Sequence, residues 1–448
     1  MLDALIGAPV IVKVLCSLAI IIVINGLCKR LLVSVTIGVL ALGLWCGHPL
    51  WSLERISIAD IAWKRFSGLN NILLLVIVFQ VIWLSTQMSA TEITKDLVVA
   101  VRSRISRRAS MAALPALIGW LPMPGGALFS APLLDRCDPN GHVQPLLKTH
   151  TNYWFRHVWE YWWPLYPGVL LAMEITGLDV WQFVLLQLPL SLFSAVAGYL
   201  FFLRRIPPEP DEEQAIHANG PRTPFLPLIA PIIIVVGCYT VIKAGHAVLS
   251  HYYTETADLN KYLPMIVGIT LAMCFVQKKR PLSWASWRAI LFNRKVTTLI
   301  LVVAAVRIYG ALIDGNMPDG TRLVDLMNAE MAGWHVPAVG VIMLIPFVCG
   351  LTSGLAVGFV GASFPIVISV LGNNPPMGVL LSATILAYTF GYMGMILSPV
   401  HICLIVTNEH FKTRLTRSLA GLLRPAAVVL AGAGILYLLI RFLWHVHA

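Results

Sequence analysis

Charge is scarce in this chain. Asp, Glu, Lys and Arg together make up 12% of its 448 residues, against about 25% in an ordinary soluble domain. That shortage excludes a solvated globular exterior. Cysteines are few and scattered, with no CxxC pair and no Cys/His cluster at zinc spacing, which excludes a local zinc module and a dithiol redox motif. All eight (Cys16, Cys28, Cys46, Cys137, Cys238, Cys274, Cys349, Cys403) read as small hydrophobes. No HExxH or paired-aspartate motif is present. The opening MLDALIGAPVIVK has neither the basic start nor the cleavage site of a secretory leader, so the first apolar run is expected to persist as a helix. Long polar segments are nearly absent too: Arg204–Thr223 (RRIPPEPDEEQAIHANGPRT) is the single extended one, and it reads as a linker.

What the chain has is apolar length. Hydrophobic residues reach 58%, and mean hydropathy is +0.79. A helix needs about 20 apolar residues to cross a bilayer. Candidate spans are Ile6–Leu27, Leu31–His48, Asn70–Thr86, His150–Ile175, Val180–Leu203, Pro224–Leu249, Tyr262–Gln277, Thr297–Leu312, Met377–Val406 and Ser418–Trp444. The fold class is therefore an all-α polytopic membrane protein. A net charge of +11 would suggest nucleic acid for a soluble protein; here the basic residues collect in loops on one side, so they set orientation and no nucleic-acid partner is expected.

Two further apolar segments, Ala112–Leu134 and Val336–Leu371, are interrupted by glycine, proline and small hydroxyl residues. Their motifs are LPMPGGALFSAP at Leu121–Pro132 and CGLTSGLAVGFVGASFP at Cys349–Pro365. Broken backbone at membrane depth is tolerated only where protein buries it or it lines a watery cavity. A matched pair of such breaks is the sequence signature of a transporter's substrate site.

The halves on either side of the linker share an order: three spans, a polar amphipathic segment, a broken segment, a long span with an internal proline (Pro167, Pro399), and a last span. Taking both broken segments as re-entrant hairpins places Lys29, Arg102, Arg108, Lys148, Arg204, Lys279, Arg294 and Arg417 with most other basic residues on one side, leaving few, such as Arg55, Lys64 and Arg322, on the other. The rich side is then cytoplasmic, and both termini lie outside. Each half makes five crossings, and the halves are inverted-topology repeats. The corresponding division is 1–109 scaffold, 110–203 transport domain with a cytoplasmic-side hairpin, 204–223 linker, 224–334 scaffold, and 335–448 transport domain with an outer-side hairpin.

PMPGGALFSAPLLD at Pro122–Asp135, GLTSGLAVGFVGASFP, and GYMGMILSPVHICLIVT at Gly391–Thr407 resemble the ion transporter superfamily of secondary carriers. Within it, the chain is most similar to an uncharacterised domain-of-unknown-function family of predicted integral membrane permeases. The resemblance implies an elevator-type carrier in the cytoplasmic (inner) membrane, usually a homodimer, with Thr94–Ile105 and Asp319–Trp334 as horizontal arm helices between scaffold and transport domain. Sodium-coupled dicarboxylate carriers of that superfamily bear Ser-Asn-Thr at each hairpin tip. These tips read PMPGG and LTSG, a departure from that pattern of specificity and coupling.

The expected site follows from helix ends, whose free N–H groups attract anions and whose free carbonyls attract cations. Pro122, Pro124, Gly125 and Gly126 form the first tip, and Thr352, Ser353 and Gly354 the second, with a sodium ion as a candidate occupant at the tips. Pro164 and Pro167 are expected to unwind one long span, and Gly394, Ser398 and Pro399 the other. Asn152, His157, Glu160 and His401 are the polar groups nearest these breaks. His157 and Glu160 are candidates for proton coupling, while Arg156 and Glu160, four apart on a helix, are equally readable as a structural pair. Arg307, deep in a span, reads as an anchor or a charge partner, and the aromatic run Trp154–Tyr166 reads as packing or as a pocket lining.

The function these features favour is secondary transport of a small organic anion, coupled to protons or sodium, with no cofactor. A cation/proton antiporter would centre on Glu160. An intramembrane hydrolase would use Ser353 and His401, but Leu351 stands where a GxSG motif needs glycine, so the chain is not expected to be an enzyme.

Overall fold

A computed structural model describes residues 8–28, 30–52, 56–93, 96, 100, 105–120, 126–208, 226–252, 259–260, 262–292, 294–334, 337–372 and 374–446. Its elements are helical, and no strand forms among the described residues. In chain order they are α1 (Val10–Cys28), α2 (Leu31–Trp45), α3 (Ile58–Ser67), α4 (Leu69–Ala90), α5 (Arg107–Gly119), α6 (Ala127–Cys137), α7 (Pro145–Arg156), α8 (Pro167–Thr176), α9 (Val180–Phe201) and α10 (Leu226–Tyr252). There follow α11 (Leu263–Lys279), α12 (Trp284–Leu291), α13 (Arg294–Asp314), α14 (Leu323–Gly333), α15 (Ala338–Ser353), α16 (Ala356–Val370), α17 (Met377–Ile396), α18 (Ile402–Phe411) and α19 (Leu415–Val446).

Six described segments are long and apolar enough to cross a membrane: Leu69–Ala90, Val180–Arg205, Leu226–Tyr252, Trp284–Asp314, Met377–Ile396 and Leu415–Trp444. Shorter apolar helices, including Val10–Asn25 and Leu31–Trp45, accompany them. The chain is thus a multi-pass helical membrane protein. Exposed Leu185, Leu192, Val241, Leu438 and Phe442 on α9, α10 and α19 present apolar surface, the expected face toward lipid.

Packing sorts most helices into two sets. In one, α2 lies between α1 and α13, α11 between α4 and α10, and α14 against α1. In the other, α5 packs on α7, α15 on α17, α6 on α18, α8 on α16, and α19 on α9 and α17. The sets meet where α13 and α14 touch α16, and α1 touches α15. Within the first set, polar groups tie the helices together, because a lone polar side chain among apolar helices seeks a partner. Ser17 Oγ and Tyr309 OH are 2.8 Å apart. The Glu330 carboxylate accepts from the Val10 and Ile11 N–H groups at 2.7 and 2.8 Å, satisfying two of the free donors at the start of α1.

The element boundaries depart from the expected spans in informative ways. Both long spans are divided: residues 157–166 separate α7 from α8, and residues 397–401 separate α17 from α18. Two short amphipathic helices, α3 and α12, went unanticipated. Each begins at a capping serine: Ser57 Oγ accepts from Asp60 N–H at 3.1 Å in a full capping box, and Ser283 Oγ from Ser286 N–H at 3.3 Å. The arm segment Asp319–Trp334 contains α14, whereas most of Thr94–Ile105 and of the linker lies outside the described residues.

Candidate functional site

The divided spans set the geometry. α17 stops at Ile396 because Ser398 precedes Pro399, and a residue before proline is pushed out of the helical region. α7 stops at Arg156, and Pro164 lies in the irregular stretch that follows. Pro167 does not unwind a helix as expected: it is the first residue of α8, where its fixed φ and missing N–H are harmless. Gly394 is a second correction. It lies inside α17 rather than at the break, and a Cβ there would stand 2.1 Å from the Phe347 carbonyl oxygen, so it lets α15 approach α17.

Irregular backbone leaves carbonyls without helical partners, and buried carbonyls need donors. Aromatic side chains supply them. Tyr392 OH donates to His157 O at 2.5 Å, Tyr388 OH to Glu160 O at 2.8 Å, and Tyr153 OH to Ile396 O at 2.9 Å. At the end of α5, Trp159 Nε1 donates to Ala116 O at 2.9 Å, Trp163 Nε1 to Trp120 O at 3.0 Å, and Tyr166 OH to Gly119 O. The aromatic run around the first break therefore pins the interrupted backbone.

The described tip residues dock onto these breaks. α15 and α16 are joined through Gly354 at φ +61°, a left-handed conformation that favours glycine. Its neighbours are Ser398 Oγ and the His401 N–H, each 3.1 Å from where a Cβ would be. Ser398 Oγ in turn donates to Leu351 O at 2.6 Å. Gly126, at the start of α6, faces the buried guanidinium of Arg156; a Cβ would lie 2.2 Å from Arg156 Nη2. Pro122, Pro124 and Gly125 lie outside the described residues.

The two breaks meet each other directly. His157 Nε2 is 3.1 Å from His401 Nε2, and Glu160 Oε1 is 3.9 Å from His157 Nε2. All three side chains are buried, and Arg156 lies within electrostatic range of Glu160. Asn152 is nearby, donating from Nδ2 to Thr407 Oγ1 at 3.1 Å. Thr352 and Ser353 sit at the second tip, but their hydroxyls donate back into their own helix, to Val348 O at 2.7 Å and Cys349 O at 2.6 Å. Of the expected residues, the structure thus brings Gly126, His157, Glu160, Gly354, Ser398, Pro399 and His401 to one locus, with Asn152 on its flank.

Over residues 11–440 the sequence matches the family described as protein of unknown function, DUF401. The chain belongs to the DUF401 family. No curated protein matches it.

Two groups escape sequence reading in this DUF401 protein: Cys403, and the pair Tyr388 and Tyr392. Cys403 joins the histidines at the breaks; the signal was its position two residues after His401. Tyr388 and Tyr392 form a donor ladder whose signal was their spacing of four on one helix face. Arg307 is a charge partner as well as an anchor: its Nη2 bonds Glu174 Oε1 at 2.8 Å, its Nε bonds Asn71 Oδ1 at 2.9 Å, and Tyr262 OH also donates to Glu174.

Away from the breaks, a polar knot joins the C-terminal ends of α6 and α18 to the N-terminal end of α7. Lys148 Nζ lies 3.0 Å from both Asp135 Oδ1 and Asp138 Oδ2, and His410 Nε2 lies 2.8 Å from Asp135 Oδ2. Burial raises the Asp138 carboxyl, but N–H bonds from Val143 and His142 and the Lys148 ammonium outweigh it and hold it below the usual carboxylate range.

Proposed function

We propose that this DUF401 protein is a secondary carrier for a small organic anion, working by an elevator-type alternating-access movement and driven by a proton or sodium gradient. The observation that carries the reading is the convergence of two helix breaks, the Gly354 turn and Gly126 at the start of α6 on one buried polar locus. A membrane protein that only needs stability gains nothing from several interruptions at one place, each costing backbone hydrogen bonds. A solute site uses them, because they present helix ends to a ligand.

Arg156 favours an anion. Its guanidinium is permanently charged and lies against the turn at Gly126, where the free N–H groups of α6 begin.

Matched packing supports two inverted repeats. α5 on α7 corresponds to α15 on α17, and α6 on α18 corresponds to α16 on α8, so each hairpin's second helix pairs with the post-break helix of the opposite half. The Ser-capped helices α3 and α12 also occupy equivalent places, each just before a third span. On this reading, the set containing α1–α4, α10, α11 and α13 is the scaffold, and the set containing the breaks moves against it.

The test is a thermal-shift screen of the purified protein against small organic anions at varied pH and sodium. A bound ligand stabilises the folded state by mass action, about 2.7 kcal/mol at a hundredfold excess over Kd. At least one anion is expected to raise the unfolding temperature, and dependence on pH or sodium identifies the coupling ion. Stabilisation by sodium or lithium alone, with every anion silent, overturns the anion reading in favour of an antiporter.

A further inference from the structure

Folding assembles a donor set that the sequence keeps apart. His157, His401 and Cys403 each offer a metal-ligating atom, and these atoms lie within 4.8 Å of one another. The three side chains are 2%, 6% and 8% exposed.

Proton placement follows from the neighbours. His157 Nδ1 lies 2.5 Å from the Tyr153 carbonyl oxygen. Only a protonated nitrogen bonds a carbonyl, so neutral His157 keeps its lone pair on Nε2. This is the arrangement of a ligating imidazole, with one nitrogen fixed by a carbonyl and the other bare. That nitrogen faces a second imidazole nitrogen, His401 Nε2, at 3.1 Å, and the Cys403 sulfur also lies in hydrogen-bonding contact with the His157 ring. If His401 donates across that contact, its Nδ1 becomes a buried acceptor, and no donor among the described residues meets it.

A shared ion resolves both nitrogens. Two imidazoles on one tetrahedral zinc, each at about 2.0–2.1 Å, place their nitrogens about 3.3 Å apart, close to the observed spacing. Cys403, on the first turn of α18, adds a sulfur, and a thiolate with imidazoles is the donor chemistry of zinc-class metals rather than of sodium or magnesium.

We propose that His157, His401 and Cys403 bind one borderline-soft transition-metal ion of the zinc class where the two breaks cross. Three protein ligands leave a fourth position open, as in exchangeable rather than purely structural sites. Glu160 borders the triad at its His157 edge. The proposal stands on ligand geometry and does not depend on which solute the protein carries.

Cobalt(II) titration of the purified full-length protein tests it, with cobalt as the spectroscopic stand-in for zinc. One equivalent is expected to produce a thiolate-to-cobalt absorption in the near ultraviolet, displaced by added zinc. Cys403→Ser is expected to abolish that band, and His401→Gln to weaken binding at least tenfold. Cys28 and Cys274 are exposed, so the comparison with Cys403→Ser is what assigns the band. Absence of a stoichiometric band in the wild type, or its persistence in Cys403→Ser, overturns the site. Should Cys403→Ser not fold, the zinc-induced rise in unfolding temperature decides: it must be present in the wild type and lost in His401→Gln. The anion screen is run without metal, so failure of either proposal is read separately.

Discussion

Single residues at the breaks act through steric limits that can be measured. Gly394→Ala places a methyl group against the Phe347 carbonyl, which is backbone and cannot rotate away. The α15–α17 contact must open, and a destabilisation of about 1–3 kcal/mol is expected, as for other overpacked sites. Gly354→Ala keeps its helix but forces an L-residue into the left-handed region, at about 1–2 kcal/mol. Unfolding temperatures in detergent check both; wild-type stability in Gly394→Ala would refute the close contact. Sequence reading found Gly394 but gave it the wrong task, because a glycine near a proline looks alike whether it bends a helix or seats a neighbour. It singled out His157, Glu160 and His401 because ionisable groups are expensive inside spans, and the structure buries all three. It passed over Cys403, because a lone cysteine in an apolar run is ordinarily a small hydrophobe and only the fold brings it to the histidines.

At the level of elements, the joints between helices carry the polar chemistry. Arg307 on α13 and Glu174 on α8 form a buried pair across the two packing sets, with both side chains under a tenth exposed. Breaking such a pair from one side strands the other charge, so Arg307→Met is expected to cost about 3–5 kcal/mol. The double variant Arg307→Met/Glu174→Gln should recover part of that loss, and a thermodynamic cycle on unfolding measures the coupling. Strictly additive effects would show that the two residues act separately. The knot at Asp138 gives a pH prediction. Its folded carboxyl titrates below the unfolded value of about 3.9, so its contribution is complete above that value. It is lost as pH falls toward the folded value. The wild type should therefore lose stability below about pH 4 more steeply than Asp138→Asn, as unfolding temperature against pH will show; parallel curves would contradict the assignment. The proline breaks were legible because proline acts locally. The short helices α3 and α12 were not, because ten or fewer amphipathic residues beside long apolar runs carry little periodic signal.

For the whole molecule, hydropathy and charge asymmetry were enough to read a multi-pass helical membrane protein, since every backbone group in lipid must be satisfied within helices. The packing of α6 on α18 and of α16 on α8 was not legible, because apolar helix faces are interchangeable in sequence and specific only when packed. The proposed orientation has its own check. Alkaline phosphatase fused after Ala448 should be active outside the cytoplasm, and a fluorescent protein inserted in the 204–223 linker should fold inside; the reverse pattern would invert the topology. The central claim is that two interrupted spans and two turns make one anion site, and the most direct measurement is current from proteoliposomes on a solid-supported membrane during jumps of organic-anion concentration. The account predicts a transient current for at least one small organic anion, abolished in Arg156→Gln and partly kept in Arg156→Lys. Silence of the wild type toward the whole panel, or an undiminished current in Arg156→Gln, would contradict it.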